Sequence, residues 1–272
     1  MRDQGACGSC YAFAAAASVE AALGLAGLGA GKYLSPQHIV DCSGGAGNAG
    51  CSGGSIDGTL NWVAQTGGLC EEDAYPYKRV AGACAATACG ARTPTQGYGA
   101  VGGGSEAAFE AALRQNPFAV AVAAAGSEWQ LYSSGVLSSS CSNNLDHAVL
   151  LVGLGTAAGT DFYKIKNSWG AGWGEGGYIR LARGAGYGPL GQCGVQSQGF
   201  FATTAVAANT APSETPALGG GGAAARDSPV IGLAVGLAVA ALFFAGGAGV
   251  LVARRKGRCG GLPARAAAVP AK

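Results

Sequence analysis

Two cysteines, three residues apart, open the chain in QGACGSCYAF, residues 4–13. A Gln stands six positions before the second cysteine and an aromatic ring directly after it. Three chemistries fit such a pair: a metal or redox CxxC, one half of a disulfide, or a nucleophile. A zinc site needs a second Cys/His pair at short spacing, and none follows. A redox CxxC sits after a strand in a βαβ pattern, which the chain does not offer. A nucleophilic thiol makes demands that can be searched for. Its pKa must be lowered, by a helix N-terminus or a neighbouring imidazolium. The imidazole in turn needs a group that orients it.

The chain has two histidines, His38 and His147. His38, in SPQHIVD beside Cys42, is expected to be a partly exposed surface imidazole. His147, in DHAVLLVG, lies on a strand-like segment far along the chain and can face Cys10 across a cleft. Asp146 is a poor orienting group, because neighbours on a strand point to opposite faces. Asn167, in KIKNSWGAGWG, is better placed, on the partner strand of the same hairpin. Trp169, two residues on, falls on the same face and can shield an Asn–imidazole hydrogen bond from water.

The elements that must hold these residues can be read from the pattern. Residues 10–29 form an Ala/Leu-rich helix ending among glycines, with Cys10 at its first turn, where the helix dipole favours a thiolate. Residues 35–41 form a short helix capped by Ser35, with Pro36 at its first position. A loop pinned by Cys42 and Cys51 leads to a helix over 55–68, stopped by Gly67 and Gly68. Residues 70–104 are loop-rich, and 105–116 form a capped helix broken before Pro117. The period then changes to strands at 118–124, 146–155, 161–169, 176–183 and 199–204, the second and third joined as an antiparallel hairpin through TAAGT. Helices early and strands late predict an α+β fold with two lobes, and a cleft between lobes is a usual place for a ligand.

These blocks resemble the papain-like cysteine proteases, which include the cathepsins. QGACGSCYAF, LSPQHIVDC, CSGGS, GGL followed by YPY, QLYSSGVL, LDHAVLLVG, KNSWGAGWGEGGYIRLARG and CGV stand in the family's order over roughly 1–201. The resemblance implies a two-lobed fold, with a helical lobe and an antiparallel β-barrel-like lobe. It implies Cys10 as nucleophile, His147 as general acid/base and Asn167 as the residue orienting the imidazole. Gln4 matches the side-chain donor of the oxyanion hole, with the Cys10 backbone N–H as the second donor. Ser9 is expected to be an N-cap. The resemblance also pairs Cys7 with Cys51, Cys42 with Cys84 and Cys141 with Cys193. Cys70 and Cys89 remain and are expected to form an additional bridge, leaving Cys10 outside the bridges. The first of the opening cysteines is then a disulfide half and the second a nucleophile. Family position further suggests a groove where Gly53 and Gly54 offer backbone hydrogen bonds to an extended peptide. Ile56, Ala121, Leu145 and Gln198 would line an adjoining pocket, mostly apolar with a polar end. No metal or other cofactor is implied. The implied activity is an endopeptidase working as a monomer on peptide or protein substrates. The alternative is a catalytically silent peptide-binding or adhesion module that keeps the fold.

The sequence also departs from the family. Tyr11 stands where Trp is usual, and the connection between His147 and Asn167 is a few residues longer. The chain opens without a basic-then-apolar leader, a pro-segment or the strand usual before Gln4, so it is expected to start short of its natural N-terminus.

The 272 residues divide into four parts. Residues 1–202 are long enough for a substantial core. Residues 203–229, rich in Ala, Gly, Pro, Ser and Thr, form a flexible linker. Residues 230–253 run without a charge, and about 20 such residues span a bilayer as a helix. Arg254, Arg255, Lys256 and Arg258 open a basic tail, 254–272, expected on the cytoplasmic side. The first part would then face a lumen, lysosomal or vacuolar, or the cell exterior. Nine of the ten cysteines precede the span, an odd number that implies four bridges and one remaining thiol, or an intermolecular pair. Cys259 is expected to be reduced or acylated. A net charge of +2, with its one basic cluster beside the span, gives no support for nucleic-acid binding.

Overall fold

The structure, a computed structural model, describes residues 1–204 except 30, 86 and 88. The linker beyond Thr204, the apolar span 230–253 and the basic tail lie outside the described residues. Among those described, no helix is long and apolar enough to cross a membrane.

Helix α1 (Cys10–Leu25) is apolar on nearly every face, so burial on all sides is what its composition demands. Residues 10–19, Ala22 and Leu23 are buried. One side packs on α2 (Pro36–Cys42) and α3 (Ile56–Gln65), and the other on the sheet, where Ala119, Ala148, Phe200 and Ala202 share its core. Ser35 caps α2 by accepting the His38 N–H at 3.0 Å. Helix α3 ends where Gly67 and Gly68 take positive φ. A Cβ on Gly68 would lie 1.9 Å from the Thr93 carbonyl oxygen, so no other residue fits there.

The sheet has seven strands: β1 (Gly97–Val101), β2 (Phe118–Val122), β3 (Val136–Leu137), β4 (His147–Ala157), β5 (Thr160–Lys166), β6 (Tyr178–Ala182) and β7 (Gly199–Thr203). Their order is β1-β7-β2-β4-β5-β6-β3, and every pairing is antiparallel except β3 with β6. The β4/β5 hairpin turns at Ala158 and Gly159, both at positive φ, the geometry that matches the twist of the flanking strands. Helix α4 (Glu106–Leu113) is capped by Ser105, whose hydroxyl accepts the Ala108 N–H at 3.2 Å. Its Phe109 and Leu113 join the sheet's own core with Phe118, Val120, Leu151 and Ile165. Helices are therefore not confined to the first lobe. The short helix α5 (Ser127–Gln130) carries Trp129 into the same core.

Strand β1 falls inside the segment expected to be loop. Its sequence, GYGAV, carries two glycines and little β-forming bias. Its strand partner among the described residues is β7, about a hundred residues away, so nothing local announces it.

Candidate active site

Each chemical residue is delivered by a different element. Cys10 is the first residue of α1, and its side chain is fully buried. His147 is the first residue of β4, where it pairs with Val122 of β2. The backbone N–H of Ala148 lies 3.2 Å from the Cys10 sulfur, which places that sulfur at the start of the histidine's strand. Asn167 follows β5 directly, and its side-chain oxygen lies 2.7 Å from His147 Nε2. That oxygen also accepts the Ser168 N–H at 2.8 Å. It is an acceptor, so Nε2 carries the imidazole's proton in the neutral form and Nδ1 is left as the basic nitrogen. Asp146 does point elsewhere: its carboxylate accepts the N–H groups of Ala124 and Ala125 at 2.8 and 3.1 Å.

Aromatic rings enclose this pair. Trp169 lies 4.8 Å from the imidazole, ring centre to ring centre. Trp129 stands edge-on to both His147 and Trp169, each at 6.4 Å, and stacks on Trp173 at 6.0 Å. The Trp129 indole N–H donates to the Cys193 sulfur at 3.0 Å. Burial pushes the His147 imidazole down to about 4, while the Asn167 bond and the Asp146 charge act in the opposite sense. A thiolate at Cys10 would act with Asn167, because an opposite charge favours the imidazolium. The one signal in the sequence for Trp129 and Trp173 is that three of the chain's four tryptophans fall in the strand-rich half.

Gln4 is buried, and its amide is fixed at both ends. Its Oε1 accepts the Ser168 hydroxyl at 2.6 Å, and its Nε2 donates to the Cys7 carbonyl at 3.0 Å. One N–H of the amide is left for an acceptor in the cleft. The backbone supports the same placement: Gln4 N–H donates to the Ser168 carbonyl at 2.8 Å, and Asp3 bridges to Trp169. The segment that follows Asn167 therefore anchors Gln4 as well as the imidazole.

Four bridges lie among the described residues: Cys7–Cys51, Cys42–Cys84, Cys70–Cys89 and Cys141–Cys193. Cys10 is outside these four, but no cysteine among the described residues is a free thiol. The expectation of a leftover thiol is corrected on this point, and chemistry at Cys10 requires its sulfur in the reduced state. Two further expectations change. His38 is fully buried instead of surface-exposed, because the capped α2 turns it inward between Trp62 and Tyr75 at 5.2 and 5.7 Å. Its Nδ1 accepts the Cys70 N–H at 3.3 Å, and burial lowers its pKa to about 4. Ser9 occupies the N-cap position of α1, yet its hydroxyl makes no cap and lies 2.6 Å from the Tyr77 hydroxyl.

The expected groove residues sit on several elements. The Gly53 carbonyl is taken by the Ala49 N–H at 2.8 Å. A Cβ on Gly54 would meet the Asn48 side chain at 2.3 Å and the Tyr11 ring at 2.8 Å, which keeps that backbone bare. Ile56 opens α3, Ala121 is on β2, Leu145 lies against Gly194 and Gln198 precedes β7. A separate hollow, lined by Phe13, Ala17, Val149 and Lys166 among others, adjoins Asn167 but includes neither Cys10 nor His147. It is not where a scissile bond would lie.

The papain family cysteine protease profile matches residues 1–203. Among curated relatives, the oryzain beta chain of Oryza sativa is 39% identical over 216 residues, covering 79% of this chain and 46% of the relative. Cysteine endopeptidase RepA of the same plant is 40% identical over 217 residues, covering 78% of this chain and 56% of the relative. The chain thus spans about half the length of the curated relatives it matches. Among solved structures, a Carica candamarcensis cysteine protease in complex with E-64 superposes with a TM-score of 0.68 at 38% identity, covering 75% of this chain and 92% of that one. Bromelain from Ananas comosus superposes with a TM-score of 0.70 at 34% identity, covering 75% and 93%.

Proposed function

The chain belongs to the papain family of cysteine proteases, and on that premise we propose that it is a cysteine endopeptidase acting through Cys10, His147, Asn167 and Gln4. The observation that carries this reading is the Cys10 sulfur against the Ala148 N–H, one residue along the strand from the His147–Asn167 pair. A sulfur at the head of a helix stands at the start of the strand whose histidine is oriented by a buried carboxamide 2.7 Å away. His147 Nδ1 takes the Cys10 proton, and the thiolate attacks the peptide carbonyl. The negative oxygen that forms is held by the remaining Gln4 N–H and the Cys10 backbone N–H. The imidazolium then protonates the leaving amine as the carbon–nitrogen bond breaks, giving an acyl-enzyme. Water, deprotonated by His147, hydrolyses the thioester and returns the thiol.

The substrate is a peptide or protein segment bound extended along Gly54 and Gly53, with one side chain in a pocket of Ile56, Ala121, Leu145 and Gln198. The bareness of the Gly54 backbone supports this mode of binding. Four bridges support a lumenal or extracellular site of action for residues 1–202. The uncharged run 230–253 with its basic flank supports a single membrane anchor beyond a linker. Retention of the full chain in the membrane pellet after alkaline carbonate washing tests the anchor; release into the wash removes it.

The test of the activity is the pH dependence of Cys10 alkylation by a neutral reagent after mild reduction, alongside hydrolysis of a peptide amide. Fast alkylation near pH 5 that His147→Ala abolishes establishes a thiolate–imidazolium pair. Labelling only above about pH 8, as for an ordinary thiol, with no hydrolysis by a folded chain, leaves the binding-module alternative.

A further inference from the structure

The two donors of the oxyanion hole lie six residues apart on one segment. Gln4 supplies a side-chain N–H, and Cys10 supplies a backbone N–H. Residues 4–9 between them form a loop with a single β-bridge, Gly8 to Ser52, and Gly5 holds a positive φ. The distance between the donors is set by the contacts that clamp this loop. The Cys7–Cys51 bridge holds its middle. Ser168 holds the outer end of the Gln4 side chain. The Gln4 N–H is held by the Ser168 carbonyl and its amide by the Cys7 carbonyl, while Gly8 and Ser9 are tied to Cys51 and Cys7; none of these bonds joins the Gln4 carbonyl side of the loop directly to the residue before α1.

Tyr77 does so. Its hydroxyl donates to the Gln4 carbonyl at 2.9 Å and lies 2.6 Å from the Ser9 hydroxyl. A phenol has one proton to give. That proton goes to Gln4, so Ser9 is the donor in the second bond. The bond also explains why Ser9, at the N-cap position, leaves the helix uncapped. One oxygen atom thus ties the residue bearing the first donor to the residue immediately before the second. The Tyr77 ring is held in turn, edge-on to Phe13 at 4.8 Å, with its own N–H donating to Glu72 at 2.8 Å. Phe13 is one turn along α1 from Cys10, so ring and hydroxyl both reference the loop to the nucleophile's helix.

We propose, resting on the protease reading above, that Tyr77 is the positioning residue of the oxyanion hole, setting the spacing between the Gln4 and Cys10 donors through its hydroxyl. Such a residue acts only on steps in which a carbonyl oxygen gains charge. Alkylation of Cys10 by iodoacetamide proceeds at a saturated carbon and makes no use of the hole, whereas amide hydrolysis depends on it.

Three measurements on the full chain test this. Tyr77→Phe keeps the ring on Phe13 and removes only the oxygen. It is expected to lower kcat for a peptide amide about 5- to 20-fold, part of the 10²–10³ that loss of a whole donor costs, with KM and the pH profile of iodoacetamide alkylation unchanged. Ser9→Ala, which leaves the Gln4 tie intact, is expected to act in the same direction and more weakly. In a Gln4→Ala background the Tyr77→Phe effect is expected to shrink severalfold, because one of the donors it aligns is gone. An unchanged kcat in Tyr77→Phe overturns the proposal. So does an equal slowing of alkylation and hydrolysis, which marks a general structural loss, and so does a full-sized effect in the Gln4→Ala background. A parent chain that alkylates only as an ordinary thiol overturns the protease reading, and the Tyr77 role with it. A fully active parent indifferent to Tyr77→Phe overturns the Tyr77 role alone.

Discussion

The chain's two histidines sit in different lobes. Both are buried, and burial pulls both down to about 4. His147, at the start of β4, offers Nε2 to the Asn167 carboxamide and stands beside the strand contact that receives the Cys10 sulfur. His38, in α2, accepts a backbone N–H from Cys70 on Nδ1, and its Nε2 is buried with no hydrogen-bond partner. Both are walled by aromatic rings. Depressed basicity and an aromatic box are therefore common to both imidazoles and do not set the proposed general base apart. What differs is the Asn167 oxygen on His147 Nε2 and the Cys10 sulfur against the next residue of its strand.

The largest test of that contrast compares the acid/base side with the nucleophile side of the cleft. Asn167→Ala removes the acceptor that fixes the His147 tautomer, so it is expected to slow both Cys10 alkylation at pH 5 and amide hydrolysis. Gln4→Ala is expected to lower kcat for hydrolysis by about 10² while leaving alkylation untouched. If the two variants slow both reactions in the same ratio, the division of labour between the two sides is wrong. Stopped assays of both reactions on the same preparations measure it.

The parts of this arrangement that were legible in the sequence are those with local causes. Ser35 with Pro36 announced the cap of α2, and TAAGT between two β-rich runs announced the hairpin. The period-2 rule put Asn167 and Trp169 on one face and excluded Asp146 as the orienting group. The meeting of Cys10, His147, Asn167 and Gln4 came from the resemblance, since no local pattern joins residues more than a hundred positions apart. What was missed depends on such distant contacts without a motif to mark them. Tyr77 reads as the end of a YPY loop until Gln4 and Ser9 are seen against it. His38 reads as surface until α2 is docked and Cys70 arrives from 32 residues on. Cys193 takes a positive φ, unusual for a residue with a Cβ, and only the fold shows its sulfur receiving the Trp129 N–H.

A finer test separates the two influences on His147. In a Cys10→Ala chain there is no thiolate, so the imidazole reports only its walls. Trp169→Ala in that background admits water and is expected to move the His147 pKa upward from about 4, because burial is the dominant cause of its depression. Asn167→Ala is expected to move it further down, because that hydrogen bond favours the charged ring. Imidazole proton shifts followed by NMR across pH 3–8 would read both; movement in the same direction would mean the aromatic wall and the carboxamide do not play opposed roles.

The smallest expected effect falls on the other histidine, and it concerns stability instead of activity. His38 titrates at about 4 when folded and near the ordinary imidazole value of 6.5 when unfolded. Above pH 6.5 it is neutral in both states and contributes nothing to the pH dependence. As pH falls from 6.5 toward 4, the unfolded chain takes up a proton that the folded chain refuses, so stability declines through this window and levels off below it. Asp41 and Arg92 are the charges acting on it, and they oppose each other, the arginine reinforcing burial and the carboxylate resisting it. His38→Asn keeps an acceptor for the Cys70 N–H and has nothing to protonate. The variant is expected to lose that part of the slope, raising its melting temperature relative to the parent by a few degrees at pH 4 while matching or falling slightly below it at pH 7. Its Cys10 alkylation profile should not move. A shift in that profile would mean the helical-lobe histidine feels the reacting site, and the separation of the two imidazoles into a packing residue and a reacting one would fail.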